Sequence, residues 1–157
     1  MSRSPLYLPY PQSVRAVFFD VGYTLLAHHP SVVDIVASYC AEHDLPVASA
    51  CIEQHLPEAE AELRRLVRDD PFTWSDEQAI TSVWIAYFTA LLRPCLPGAD
   101  ADELARHVQR LQRIFDSAAS YALYPDVMPV LETLSARNLT LGVISDWGIG
   151  LGLILRH

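Results

Sequence analysis

The run Arg15-Ala16-Val17-Phe18-Phe19-Asp20-Val21-Gly22-Tyr23-Thr24-Leu25-Leu26 decides how the rest of the chain is read. Its apolar residues Ala16 to Phe19 show no polar alternation, which predicts a short strand covered on both faces and central in a parallel sheet. The strand ends on a carboxylate, Asp20, and then a glycine turn. The C-terminal edge of such strands is where open α/β sheets gather their chemistry. A second run, Leu139-Thr140-Leu141-Gly142-Val143-Ile144, ends in the same manner on Ser145-Asp146. Two strand ends are therefore expected to converge.

Between them, from 28 to 120, the apolar period turns helical. Ser31 is placed to cap a first helix carrying Val32, Val33, Ile35, Val36, Tyr39 and Cys40. A second helical region, 49 to 68, contains Pro57, which should kink or split it. Ser75 followed by Gln78 makes a capping box for a third helix, whose Ile80, Val83, Trp84, Tyr87, Phe88 and Leu91 read as bundle interior. Asp100 with Glu103 starts a fourth, carrying Leu104, Val108, Leu111 and Phe115. After Tyr124-Pro125-Asp126, residues Val127, Val130, Leu131 and Leu134 predict a short amphipathic helix closed by a left-handed Asn138. Residues from Gly150 read as the start of a last helix. The expected fold is α/β: an incomplete Rossmann-like parallel-sheet core, 15–27 and 121–157, with an inserted four-helix bundle at 28–120 and a proline-rich extended leader at 1–14.

Composition narrows the partners. The 157 residues are 51% hydrophobic, ample for a folded interior, and carry 19 acidic against 11 basic side chains, a net charge of -8. That balance opposes contact with a nucleic-acid backbone or an anionic membrane and favours a small molecule or a protein. No run of apolar residues is long enough for a membrane-spanning helix. Three cysteines and an N-terminus interrupted by Pro5, Pro9 and Pro11, without an apolar signal stretch, predict a reduced, cytoplasmic protein. Cys40, His43, Cys51 and His55 have spacings that could serve zinc on two neighbouring helices, or could be small buried groups and solvated helix ends.

Phe19-Asp20-Val21-Gly22-Tyr23-Thr24-Leu25, the helical insertion, Tyr124-Pro125 and Val143-Ile144-Ser145-Asp146-Trp147, in that order, resemble the haloacid dehalogenase superfamily, in the branch with a helical cap of the first type. The resemblance implies that Asp20 is a nucleophile forming a covalent aspartyl intermediate. It implies that Thr24 supports the nucleophile's loop near the transferred group, and that Ser145, with Asp146 beside it, holds the substrate phosphate. It also implies Mg²⁺, held by Asp20 and the backbone carbonyl of Gly22. An ionised carboxylate, with an ordinary pKa of about 3.9, is a ready nucleophile at neutral pH.

Two departures qualify what the resemblance implies. Phosphatases of the superfamily carry a second aspartate two residues after the nucleophile, as acid and base, and Gly22 stands there. General acid-base assistance contributes about 100- to 10,000-fold, so its loss impairs an ordinary phosphatase without abolishing every reaction. Gly22-Tyr23 does not reproduce the dehalogenase pattern either. The superfamily's later lysine and paired acids do not follow Ser145, and the sequence contains no lysine. An aspartate and a phosphate dianion at about 4 Å repel by roughly 8 kcal/mol at an effective dielectric of 20, so the missing cations matter. Two expectations result. One is a hydrolase acting on a small phosphorylated metabolite, incomplete in this chain and binding Mg²⁺ weakly. The other is a non-catalytic relative whose incomplete sheet edge pairs with another chain, as a dimer or with a different protein.

Overall fold

The computed structural model describes residues 14–70, 72–148 and 150–156. The expected leader, 1–14, lies almost entirely outside the described residues. The chain is mixed α/β, mostly helical, and separates into two compact units: 14–26 with Leu123–Ser145, and Ala27–Ala122 with 146–156. The sequence expectation assigns 15–27 and 121–157 to the core and 28–120 to the inserted bundle; by contacts, Ala27–Ala122 groups with 146–156.

The first unit holds strand β1, Ala16–Phe19, and strand β4, Thr140–Val143. They pair in parallel with Ala16 opposite Thr140 and Phe19 opposite Val143. The ladder extends at both ends, Thr140 N–H donating to Arg15 O and Ile144 N–H to Phe19 O, each at 2.9 Å. A Cβ on Gly142 would lie 2.7 Å from the Phe18 ring, so a larger residue there would require that exposed ring to move aside. Helix α5, Val127–Ser135, packs on β4 and stops at Asn138, whose φ of 57° is the left-handed cap expected from the sequence. The expectation that β1 is covered on both faces fails. Phe18 is 59% exposed and Ile144, just past β4, 70%. Among the described residues β1 and β4 pair only with each other, so one helix and two strands leave a face uncovered.

The second unit contains helices α1, Val32–Glu42; α2, Ser49–Asp69; α3, Glu77–Leu92; and α4, Ala101–Phe115. Ser31 caps α1, accepting from Asp34 N–H at 3.2 Å, and Asp100 caps α4, accepting from Glu103 N–H at 2.7 Å. The cap of α3 sits one residue later than the sequence suggests. Asp76 accepts from Ala79 N–H at 2.7 Å, while Ser75 Oγ turns back to donate to Phe72 O. Helix α2 runs unbroken through Pro57. The proline costs about 3 kcal/mol, and packing of α2 through the buried Ile52 and Ala59 against α1 and α3 outweighs it. Val36, Cys40, Ile52, Phe88, Leu91, Leu92, Val108 and Leu111 close the interior completely. Trp84, Tyr87 and Phe88 pack ring against ring within it, and Phe88 meets Phe115 at 4.9 Å between centroids.

Cys51 and Cys95 form a disulfide, which corrects the expectation of three reduced thiols. Helix α2 brings Cys51 to the helical turn after α3, a meeting across 44 residues that spacing alone does not reveal. Cys40 stays free and buried. Short strands β2, Leu26–His28, and β3, Tyr121–Leu123, pair at the points where the chain passes between the units. A last short helix, α6, spans Leu151–Ile154. No helix among the described residues is long and apolar enough to cross a membrane.

Candidate active site

The loop after β1 is built around one carbonyl. Val21 O accepts from the N–H groups of Thr24, Leu25 and Leu26 at 3.2, 2.8 and 3.2 Å, and Tyr23 N–H returns to Leu26 O at 2.7 Å. Burial of Val21, Leu25 and Leu26 pins this loop from beneath. Tight closure forces one residue into the left-handed region. That residue is Tyr23, at φ 55°, and not the glycine beside it. Sequence reasoning placed the turn on Gly22 and missed Tyr23, because the glycine signals conformational freedom whether or not it is used.

On this loop Asp20 is exposed, and both its oxygens accept hydrogen bonds. Thr24 Oγ1 donates to Oδ2 at 2.7 Å. Ser145 Oγ, arriving from the end of β4, donates to Oδ1 at 2.8 Å across 125 residues of sequence. Ser145 Oγ in turn accepts a longer bond from Val21 N–H, 3.4 Å. The parallel register that sets Phe19 beside Val143 makes this meeting possible, since each strand's next polar residue then emerges at the same edge.

The Thr24 bond, then the Ser145 bond, holds the Asp20 carboxyl below its ordinary pKa, with a smaller push from the Val21 N–H and a partial opposing effect of burial. The group is ionised at neutral pH. Its chemistry is that of an anionic oxygen nucleophile, positioned by two hydroxyls and open to solvent.

No protein-family model matches the chain, and no curated protein matches it.

Of the residues singled out from sequence, Asp20, Thr24 and Ser145 come together. Gly22 lies in the same loop, its backbone bridged to Leu26. Asp146 is exposed and falls in the helical unit, and its side chain makes no hydrogen bond among the described residues. For magnesium the donor set is thin. It offers one carboxylate, both of whose oxygens already accept hydroxyl protons, and one peptide carbonyl, whereas Mg²⁺ demands near-octahedral oxygen ligation. Among the described residues no group of three or more His, Cys, Asp or Glu side chains is arranged for a metal. Toward the near-octahedral oxygen shell of Mg²⁺ these residues could supply the Asp20 carboxylate and the Gly22 carbonyl.

The cysteine and histidine quartet does not assemble either. Cys51 is committed to its disulfide, His43 Nδ1 bonds the Tyr39 carbonyl at 2.9 Å, and His55 Nδ1 meets Glu58 at 3.2 Å. His28 is packed between the Phe115 and Tyr121 rings, at 5.0 and 4.7 Å. Burial pushes its pKa down.

Proposed function

We propose that this chain is a haloacid dehalogenase-like hydrolase in which Asp20 attacks the phosphorus of a small phosphorylated metabolite. The observation that supports this reading is a single exposed carboxylate whose two oxygens are each fixed by a hydroxyl, one from its own loop and one from the end of the neighbouring parallel strand. An Asp20 oxygen forms the new O–P bond while the ester P–O bond breaks and the leaving group departs with its electron pair. Water then attacks the phosphorus of the aspartyl phosphate, releasing phosphate and restoring the carboxylate. Thr24 orients the nucleophile through both steps, and Ser145 does so until a substrate oxygen takes its hydroxyl hydrogen.

Gly22 shapes the substrate preference. With no carboxyl group at that position, the leaving group takes its proton from solvent, so substrates whose leaving group is stable as an anion are favoured. p-Nitrophenyl phosphate should turn over faster than an alkyl phosphate by about 100- to 10,000-fold, the range that general acid catalysis would otherwise supply. Asp20→Asn should remove turnover of the aryl ester, assayed with and without added Mg²⁺. Unchanged hydrolysis by that variant would refute Asp20 as the nucleophile.

A second reading rests on a different observation. Phe18, Val143 and Ile144 are exposed on a sheet whose strands pair only with each other among the described residues, as expected of a non-catalytic module that adds a strand from another chain. Absence of turnover by the wild-type chain on both ester classes would leave this reading standing.

A further inference from the structure

Helix α5 presents to solvent a stripe formed by Asp126, Val130, Thr133 and Arg137, all exposed. Together with Pro129 and Leu134 they line a shallow groove of about 360 Å³. The helix packs on β4 through its other side, where Val127 is buried and Leu131 half-buried. The stripe is therefore not the face the fold uses. Among the described residues, Asp126 and Arg137 make no side-chain hydrogen bond or ion pair, and Asp126 does not cap its own helix.

The spacing of this stripe is its informative property. Its steps are four, three and four residues, which read the same in both directions. A two-fold axis perpendicular to the helix, passing midway along the stripe, sets two copies of α5 antiparallel. Asp126 of one copy then meets Arg137 of the other, twice, and Val130 of each meets Thr133 of the other. The end groups are about 16 Å apart along the helix at 1.5 Å per residue, and by symmetry that span matches itself. The acid lies at the N-terminal end of α5 and the base just past its C-terminal end, so antiparallel docking also aligns the helix dipoles favourably.

We propose that the groove on α5 is a self-complementary docking surface for a second copy of this chain. The pairing is isologous, with an apolar strip from Pro129, Val130 and Leu134 closed at each end by an Asp126–Arg137 pair. This surface is distinct from the sheet edge considered above and is independent of whether Asp20 is catalytic. One short helix per partner and two exposed ion pairs make the association weak, reversible and sensitive to salt.

Analytical ultracentrifugation of the full chain, from about 1 µM to about 1 mM, tests the proposal. The wild type should self-associate reversibly, less so at high salt. Asp126→Arg and Arg137→Asp should each weaken association by about tenfold or more, because each turns two attractive pairs into repulsive ones. An equimolar mixture of the two variants should associate again, since every facing pair is then opposite in charge. A wild type that remains monomeric throughout overturns the proposal. So does association that ignores both reversals, or a mixture that fails to restore it. If either reversal prevents folding, as judged by circular dichroism, Val130→Glu on the same stripe takes its place, and undiminished association of that variant overturns the proposal as well.

Discussion

The two units spend similar residues differently. In the helical unit Phe88, Leu91, Leu92 and Ile52 are removed from water altogether, whereas in the sheet unit Phe18, Val143 and Ile144 are exposed. The sheet unit buries Val21, Leu25, Leu26 and Val127, beneath the Asp20 loop and where α5 begins. Apolar content does not decide the outcome; the number of layers does. Helices α1 to α4 surround a common interior, while two strands and one helix make one covered face and one bare one. The candidate site therefore stands on the part of the molecule with the smaller core.

This contrast can be broken most directly by truncating one aromatic ring in each unit. Phe88→Ala should cost about 3–5 kcal/mol in urea or thermal unfolding, the range for a fully buried ring. Phe18→Ala should cost about 1 kcal/mol or less, since much of that ring is already hydrated. Equal costs would mean that the sheet face is covered in solution. Next in size is the disulfide. Reducing Cys51–Cys95 should lower stability by about 2–4 kcal/mol, and hydrogen exchange should place the loss in the helices and spare the β1–β4 ladder.

The smallest effect is a dependence on pH. Tyr39 Oη and His107 Nδ1 bond at 2.7 Å inside the helical unit, and the His43 ring lies near both. Burial lowers the His107 pKa; Glu103 opposes the shift, and Arg110, His43 and Arg106 reinforce it. Because the folded state prefers the neutral ring, the unfolded chain binds the proton more readily. Stability from this group is therefore complete above the unfolded value of about 6.5 and declines as the pH falls below it. His107→Gln should flatten the slope of stability between about pH 7.5 and 5.5, a window set by that unfolded value. An unchanged slope would assign the acid sensitivity to another group, His28 being the next with a depressed pKa.

Local chemistry was legible in the sequence where a single residue carries it. Ser31 and Asp100 cap the helices they precede, and Asn138 adopts the left-handed conformation that ends α5. The parallel strand pair was legible from two short, largely apolar runs that each end on a polar residue. Features that depend on tertiary competition were not. Ser75 and Asp76 are both competent caps, and the turn before α3 selects between them. Pro57 carries a local penalty that the packing of α2 overrides. The partnership of Cys51 with Cys95 and the exposure of β1 depend on what lies nearby in space, which one-dimensional periodicity does not encode. At the site, the sequence singled out Asp20, Thr24 and Ser145, but the left-handed Tyr23 in the loop's turn was hidden behind its glycine neighbour.

The hydroxyls at Asp20 raise a matter of proton supply. Thr24 and Ser145 each have one hydroxyl hydrogen, and each gives it to the carboxylate. Any ligand oxygen that accepts from Ser145 must therefore take that hydrogen from Asp20. Such an exchange leaves the carboxylate with one fewer donor, more basic and more nucleophilic, at the moment an anion arrives beside it. On the proposed reading of Asp20 as nucleophile, arrival of the ligand and arming of the carboxylate would be a single event, carried by rotation about one Ser145 C–O bond.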